Sequence, residues 1–165
     1  SVYHLIFNDE HLQNFAADFK MLPPLRTKED QIALIEGIKK GVVDVITSNH
    51  QPHENEIREV EFPIAPMGCI GTQIAFPMAL TYLLDELDLE TIVKTMSINP
   101  RTILQTDIPV VKEGFVANLT LFDTHTEWKF DKSSNSSLSE NTPMLDSTLK
   151  GKVHGTILGN YLHFS

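Results

Sequence analysis

The segment Thr47–His53, which reads TSNHQPH, carries the residues of this chain best suited to chemistry. Its two imidazoles can bind a metal or move protons, because histidine titrates close to neutral pH. The segment directly follows a β-branched run, a position where active-site loops lie in α/β proteins. Asn49 stands where such a loop needs an acid, and an amide has neither the charge nor the basicity of a carboxylate. The segment is therefore either a catalytic loop or one that has lost its acid.

The surrounding pattern predicts strands that alternate with helices. Val2–Phe7 predicts a buried strand, and Val42–Ser48 predicts a strand that is covered on both faces, as in a parallel sheet. Caps and apolar spacing predict helices over residues 27–41, 72–85 and 89–98, and a further helix with Asn99 as its cap and Pro100 at its first position. The alternation places TSNHQPH at the carboxyl end of a strand.

The sequence changes character near residue 112. Residues 115–123 alternate apolar and polar side chains, and residues 153–165 predict two strands joined by a turn at Gly159-Asn160. The polar stretch KSSNSSLSENTP between them predicts a mobile loop. We therefore expect residues 1–112 to form an α/β part and residues 113–165 to form a β part.

Composition narrows the classes of partner. The chain has 165 residues and a formal net charge of −9, and it lacks a basic cluster, so nucleic acid is not an expected partner. It has no apolar run long enough for a membrane span and no secretory pattern at its start. A single cysteine, Cys69, excludes an internal disulfide and a cysteine-based zinc cluster. These features predict a cytoplasmic protein.

Several motifs together resemble dihydroorotase of the long bacterial and multifunctional-complex type, within the amidohydrolase superfamily. The family's Asp-His-Ala-Pro-His corresponds to residues 49–53, NHQPH, and its Asn-Pro-Pro-Leu-Arg corresponds to residues 22–26, LPPLR. The family's Gly-Leu-Glu-Thr-Ala-Leu-Pro corresponds to residues 71–77, GTQIAFP. GFVANLTLFD and ENTPM resemble segments of the family's small β domain.

The resemblance implies an architecture and partners. The fold would be the C-terminal part of a TIM-type (β/α)8 metal-dependent hydrolase barrel, in residues 1–112, with a β-sandwich portion in residues 113–165. The upstream half of the barrel is absent from this chain and would be needed for stability, because half a barrel leaves open sheet edges. The resemblance further implies a homo-oligomer.

The resemblance also implies roles for individual residues. Asn49 occupies the position of the family's aspartate base, and Tyr3 occupies the position of a histidine that binds zinc in the family. His53 matches a histidine that binds the substrate carboxylate, although a loop histidine bonded to backbone is the alternative. Arg26 either holds an acid or orders its loop. Leu22 and Gln73 replace a family asparagine and a family glutamate.

The reaction that the resemblance implies is the reversible ring closure of N-carbamoyl-aspartate to dihydroorotate in de novo pyrimidine synthesis, with zinc as cofactor. The departures at Asn49, Tyr3 and Gln73 predict a catalytically impaired member, a pseudoenzyme in which zinc is weakly bound or absent. Two alternatives stay open. One is an active zinc-dependent cyclic amidohydrolase, and the other is a non-catalytic scaffold for aspartate transcarbamoylase.

Overall fold

The computed structural model describes residues 1–164 and divides them into a helical part and an antiparallel sheet. The helices are α1 (Val2–Ile6), α2 (Lys28–Lys39), α3 (Ala75–Tyr82), α4 (Leu89–Val93) and α5 (Asn99–Ile103), and the strands are β1 (Asn118–Phe130), β2 (Ser147–Leu158) and β3 (Tyr161–Phe164). One buried apolar cluster joins α1 and α3 to the inner side of the sheet. Among the described residues, no helix has the length and apolar character of a membrane span.

The strand predicted at Val2–Phe7 is wrong, because α1 occupies Val2–Ile6. Four consecutive residues, 2–5, are buried, so burial on every side of α1 gives the continuous apolar run that was interpreted as a strand. Short apolar runs do not distinguish a buried strand from a buried helix. The Val2 amide donates to the Thr47 carbonyl at 2.9 Å, which ties the start of α1 to the TSNHQPH segment.

The strand predicted at Val42–Ser48 does not form a ladder in this chain. Its residues run without regular strand pairing, and beyond it a single parallel bridge joins His50 to Cys69. The Ile46 amide donates instead to the Thr95 carbonyl at 3.1 Å. A strand needs neighbours on both sides to complete its hydrogen bonds, and residues 1–164 do not supply them.

The helix predicted from a cap at Thr27 is confirmed as α2, where the Thr27 hydroxyl accepts from the Asp30 amide at 3.3 Å. Asn99, by contrast, does not cap a helix. The chain stays helical through Asn99, because a π-helical segment, Lys94–Ile98, links α4 to α5. Pro100 lies in the first turn of α5, where a residue without an amide hydrogen is tolerated.

The predicted C-terminal hairpin is confirmed. Strand β2 pairs with β3 in antiparallel register, with Leu158 opposite Tyr161. Gly159 opens the turn at a φ of 57°, the left-handed region that a two-residue hairpin turn requires of its first central residue. Strand β1 completes a three-stranded sheet in the order β1-β2-β3.

Helix α3 packs against β2 at a glycine. A Cβ built on Gly151 would lie 2.3 Å from the Leu80 Cδ1 atom, and Gly151 has a φ of 87°. Both the close approach and the backbone conformation therefore exclude a larger side chain at this position. Through this contact, β2 packs closely against α3 and so joins the sheet to the helical part that carries the candidate site.

Candidate functional site

The TSNHQPH segment is held between two neighbouring stretches of the chain. On one side the Leu22 carbonyl accepts from the Asn49 side chain, and on the other the Gln51 amide donates to the Cys69 carbonyl at 2.8 Å. The backbone at Asn49 is left-handed, with a φ of 49°, a conformation that asparagine adopts more readily than most residues. The local fold therefore sets the direction in which the Asn49 side chain points.

Asn49 uses its amide as a hydrogen-bond donor. Its Nδ2 atom donates to the Leu22 carbonyl at 3.1 Å, and its backbone amide donates to the Thr47 hydroxyl at 3.0 Å. An ionised carboxylate only accepts hydrogen bonds, so aspartate could not make the first of these contacts. The amide thus acts here as a structural link between two loops.

Tyr3 lies in the core, away from Asn49. Its hydroxyl donates to the Ile70 carbonyl at 2.5 Å and lies 2.7 Å from the Thr142 hydroxyl. Burial raises the pKa of Tyr3 far above its ordinary value. A phenol that stays protonated and is bonded on both sides within the protein is unsuited to bind a metal.

The side chains of His4 and Asn49 contact the same stretch of backbone, and that of Tyr3 does not. The His4 Nε2 atom donates to the Pro23 carbonyl at 2.8 Å, next to the Leu22 carbonyl that Asn49 contacts, and its Nδ1 atom lies 2.8 Å from the Ser1 hydroxyl. Burial lowers the pKa of His4, although its bond to Pro23 opposes that shift. The Tyr3 hydroxyl and the His4 ring therefore contact different parts of the chain, Tyr3 in the core and His4 at the carbonyl next to the one that Asn49 contacts.

The His53 side chain is bonded to backbone. Its Nε2 atom donates to the Met67 carbonyl at 2.8 Å. That ring nitrogen is therefore in use by the protein and is not free to bind a carboxylate. His50 is also engaged structurally, because its Nδ1 atom accepts from the Gly71 amide at 3.0 Å and from the Thr72 amide at 3.3 Å.

Arg26 lies at the surface beside α2. Its Nε atom pairs with the Asp30 carboxylate at 3.3 Å, and 68% of its side chain is exposed. The structure therefore brings Asn49, His4 and the Leu22–Pro23 carbonyls together, and it does not bring Arg26 or Tyr3 to them.

The sequence analysis did not identify Asn141, whose side chain forms hydrogen bonds with the backbone of the TSNHQPH segment. Asn141 is fully buried, and its Nδ2 atom donates to the Gln51 carbonyl at 2.8 Å and to the Gly68 carbonyl at 3.0 Å. Its Oδ1 atom accepts from the His53 amide at 3.2 Å. The available signal was the ENTPM stretch, which resembles a segment of the family's small β domain but does not by itself mark Asn141 as a contact of the loop.

Gln73 ties the same polar loop to α3. Its Nε2 atom donates to the Ser134 carbonyl at 2.7 Å, and its Oε1 atom accepts from the Ser136 amide at 2.8 Å. As at Asn49, a carboxylate could not make the donor contact. Both positions where the family pattern has an acid therefore carry amides whose donors are in use.

The described residues fit zinc poorly. Within residues 1–164, no group of three or more His, Cys, Asp or Glu side chains is placed to hold a metal ion. Cys69 is buried, and burial raises the pKa of its thiol to about 12, which disfavours the thiolate that binds metals. We therefore derive no step of chemistry through a metal from these residues.

Comparison with known proteins relates this chain to dihydroorotases by sequence and to a hydantoinase by fold. No family model matches the chain. The dihydroorotase of Aquifex aeolicus is 41% identical over 156 residues, which is 93% of this chain and 36% of that protein. A further dihydroorotase, from Anoxybacillus flavithermus, is 38% identical over 158 residues, 94% of this chain and 37% of its own length.

The L-hydantoinase (dihydropyrimidinase) of Arthrobacter aurescens shares the fold, with a TM-score of 0.87 at 24% identity, over 98% of this chain and 38% of that chain. The chain spans little more than a third of the length of these relatives. Over nearly its whole length, this chain belongs to the dihydroorotase family of amidohydrolases.

Proposed function

We propose that this chain is part of a dihydroorotase-family protein of pyrimidine synthesis whose cyclic amidohydrolase site no longer supports catalysis. The observation that carries the proposal is the contact from the Asn49 Nδ2 atom to the Leu22 carbonyl at 3.1 Å. It directs an uncharged donor where the family has a proton-accepting carboxylate. Loss of a general base typically costs about 10²- to 10⁴-fold in rate.

The surroundings support the same conclusion. A base at position 49 would need a pocket that leaves a carboxylate oxygen free for substrate, yet the nearest partner of this side chain is a carbonyl oxygen. Gln73 has undergone the same change from acceptor to donor, since it donates to the Ser134 carbonyl. The side-chain amides of Asn49 and Gln73 both donate hydrogen bonds to backbone carbonyls, which favours a structural and not a catalytic role for these two positions.

The proposal includes the architecture. We assign residues 1–112 to the late part of a TIM-type (β/α)8 barrel and residues 113–165 to a β-sandwich portion, both completed by the upstream part of the same polypeptide. Strand β3 supports this, because all four of its residues, Tyr161–Phe164, are exposed and three of them are large and apolar. An open apolar edge strand is normally covered in a native protein.

The fold alone does not decide whether this chain belongs to an active enzyme. The L-hydantoinase has the same fold as this chain, and so does the inactive dihydroorotase-like domain of the Chaetomium thermophilum CAD-like multifunctional protein, with a TM-score of 0.67 at 19% identity over 98% of this chain and 41% of that chain. The site residues must therefore carry the argument.

The test is to measure zinc content and dihydroorotate hydrolysis in the full-length protein, with the Aquifex aeolicus dihydroorotase as a positive control. We expect no hydrolysis above background, with or without added zinc. Zinc-dependent turnover that His53→Ala abolishes would show an active cyclic amidohydrolase and overturn the proposal.

A further inference from the structure

A groove between the helical part and the sheet lies apart from the candidate site. It has a volume of about 520 Å³, within the size range of small-molecule sites, and among the described residues that line it none belongs to the TSNHQPH segment. Residues of α3, α4, the π-helical segment, α5, β1 and β2 all contribute to it. Its apolar lining includes Phe76, Val93, Met96, Leu119, Phe122 and Val153.

Two aromatic rings form part of this apolar lining. The Phe76 and Phe122 rings pack edge to face, with their centroids 4.8 Å apart. Phe76 belongs to α3 and Phe122 to β1, and both side chains are only half-buried. The pair therefore offers apolar surface on which the hydrocarbon body of a ligand would be removed from water.

Arg101 supplies the charge of the groove. Of the described residues that line it, Arg101 alone is charged. Its Nη1 atom donates to the Ser97 carbonyl at 3.1 Å and to the Ser97 hydroxyl at 2.6 Å. Within residues 1–164 its Nε and Nη2 atoms have no hydrogen-bond partner, and both are accessible to solvent. The guanidinium therefore keeps two neighbouring donor nitrogens available to a ligand.

A single guanidinium beside apolar side chains favours one kind of anion. A carboxylate carries one charge, and it accepts two parallel hydrogen bonds from a guanidinium. A phosphate monoester carries about 1.5 to 2 negative charges at neutral pH, so Arg101 would leave part of that charge uncompensated next to apolar surface. The chain has a net charge of −9, so an anion would be held here by the local contact and not by the overall charge.

We propose that this groove binds a small monocarboxylate with an apolar body. The carboxylate pairs with the Nε and Nη2 atoms of Arg101, and the body packs against Phe76 and Phe122. The inference goes beyond the proposed function, because it assigns a second binding site that shares no residue with the TSNHQPH segment.

The test uses three ligands that separate the charge from the apolar body. NMR titration of the full-length protein would measure the affinities of 4-phenylbutyrate, of its neutral amide, and of butyrate, which keeps the charge and lacks the ring. We expect 4-phenylbutyrate to bind at least about tenfold more tightly than either, because the amide loses the charge-assisted hydrogen bonds and butyrate loses the apolar burial. An amide or a butyrate that binds as tightly as 4-phenylbutyrate would overturn the inference.

Two variants locate the charge. Arg101→Gln should reduce the preference for 4-phenylbutyrate over its amide to about twofold or less, and it should leave the affinity for the amide unchanged. Lys152→Gln removes the same charge from an exposed residue that does not line the groove, and it should leave the preference unchanged. A preference that survives Arg101→Gln would contradict the assignment. An equal loss of affinity for both ligands would also contradict it, because Arg101 would then shape the groove through Ser97 without binding the charge.

Methionine methyl resonances give an independent readout of where the ligand binds. Met96 lines the groove, whereas Met21 and Met67 line a separate cavity. Binding of 4-phenylbutyrate should shift the Met96 signal and leave those of Met21 and Met67 in place. Shifts confined to Met21 and Met67 would place the ligand in the other cavity, and an unchanged Met96 signal would show that another part of the polypeptide fills the groove. Either result would overturn the inference. Because none of these measurements needs turnover, an active protein would refute the proposed function without affecting this test.

Discussion

At the scale of single residues, the side chains that look catalytic in the sequence are mostly bonded to backbone. His50 accepts from two amides, His53 donates to a carbonyl, and Asn49 donates to another. A hydrogen bond to a fixed backbone group orients a side chain as firmly as catalysis would require, but it also occupies the atoms that catalysis would use. The contacts therefore favour a structural function for this loop.

Restoring the family acid should destabilise the protein and not restore its activity. In Asn49→Asp, a carboxylate oxygen replaces the donor that faces the Leu22 carbonyl. We expect a loss of about 1 to 2 kcal/mol in the free energy of unfolding, because a hydrogen bond is replaced by repulsion, and no gain in dihydroorotate hydrolysis. Denaturant titration and the hydrolysis assay would measure the two effects.

Asn55→Asp is the control, because it adds the same charge at an exposed loop position. A stable Asn49→Asp variant that hydrolyses dihydroorotate would show that the loss of the acid alone explains the impairment.

Removal of the Asn141 side chain should be among the most damaging single changes. Asn141→Ala leaves two carbonyls and the His53 amide without their partner in a buried position. We expect a loss of about 3 kcal/mol, since each buried unsatisfied group costs about 1 to 3 kcal/mol and part of that cost is relieved by relaxation or water. Thermal or denaturant unfolding would measure it.

Asn135→Ala is the matched control in the same loop, because its side chain makes only local contacts: its Nδ2 atom donates to the Ser139 carbonyl at 2.9 Å and its Oδ1 atom accepts from the Ser137 amide at 2.9 Å. Equal losses for the two variants would show that Asn141 does not anchor the loop more firmly than a local turn contact does.

His4 should make stability depend on pH. Its pKa is lowered by burial in the folded state, so below its ordinary value of about 6.5 the unfolded chain binds a proton that the folded chain does not. Stability should therefore fall as the pH drops from about 7.5 to 5.5, and His4→Gln should fall less. Denaturant unfolding at several pH values would measure this, with the exposed His125→Gln as control. A steeper pH dependence in His4→Gln would contradict the assignment.

At the scale of elements, the contact between α3 and β2 depends on a single glycine. Gly151→Ala combines a left-handed backbone with a Cβ placed 2.3 Å from the Leu80 Cδ1 atom. Gly114 has a similar φ of 83° and no atom near its hypothetical Cβ, so Gly114→Ala carries the backbone strain alone.

We expect Gly151→Ala to lose about 1 to 3 kcal/mol more than Gly114→Ala, the usual range for overpacking. The difference between their free energies of unfolding gives the cost of the contact. If the two variants lose the same amount, α3 can move away from the sheet without cost.

The helices and strands also show why some sequence patterns predicted the local structure correctly and others did not. The Thr27 cap of α2 and the Gly159 turn are governed by neighbours within a few residues, so they hold in any tertiary context. Val2–Phe7 and Val42–Ser48 are instead apolar runs whose conformation depends on which segments pair with them. Asn99 and Pro100 form a start signal, yet the chain is already helical before them, because the π-helical segment Lys94–Ile98 leads directly into α5.

At the scale of the whole molecule, the exposed β3 strand predicts how the chain is completed. If the upstream part of the polypeptide covers this edge, Leu162→Lys should destabilise the full-length protein by about 1 to 3 kcal/mol, because a charge would be buried without a partner. Leu138→Lys, at an exposed leucine in the polar loop, should change stability little. Denaturant unfolding of both variants would measure the difference. A neutral Leu162→Lys would place β3 at a solvent-facing surface.

The sequence by itself determined the family relationship, the capped helix, the closing hairpin and the presence of an amide where an acid was expected, because each depends on residue identity or on local backbone preference. The tertiary structure decided which way the side chains point. It brought the side chains of His4 and Asn49 to the neighbouring carbonyls of Pro23 and Leu22, and it buried Asn141 against the backbone of the TSNHQPH segment. Those outcomes depend on contacts between segments that lie tens of residues apart, and residue spacing along one chain does not specify them.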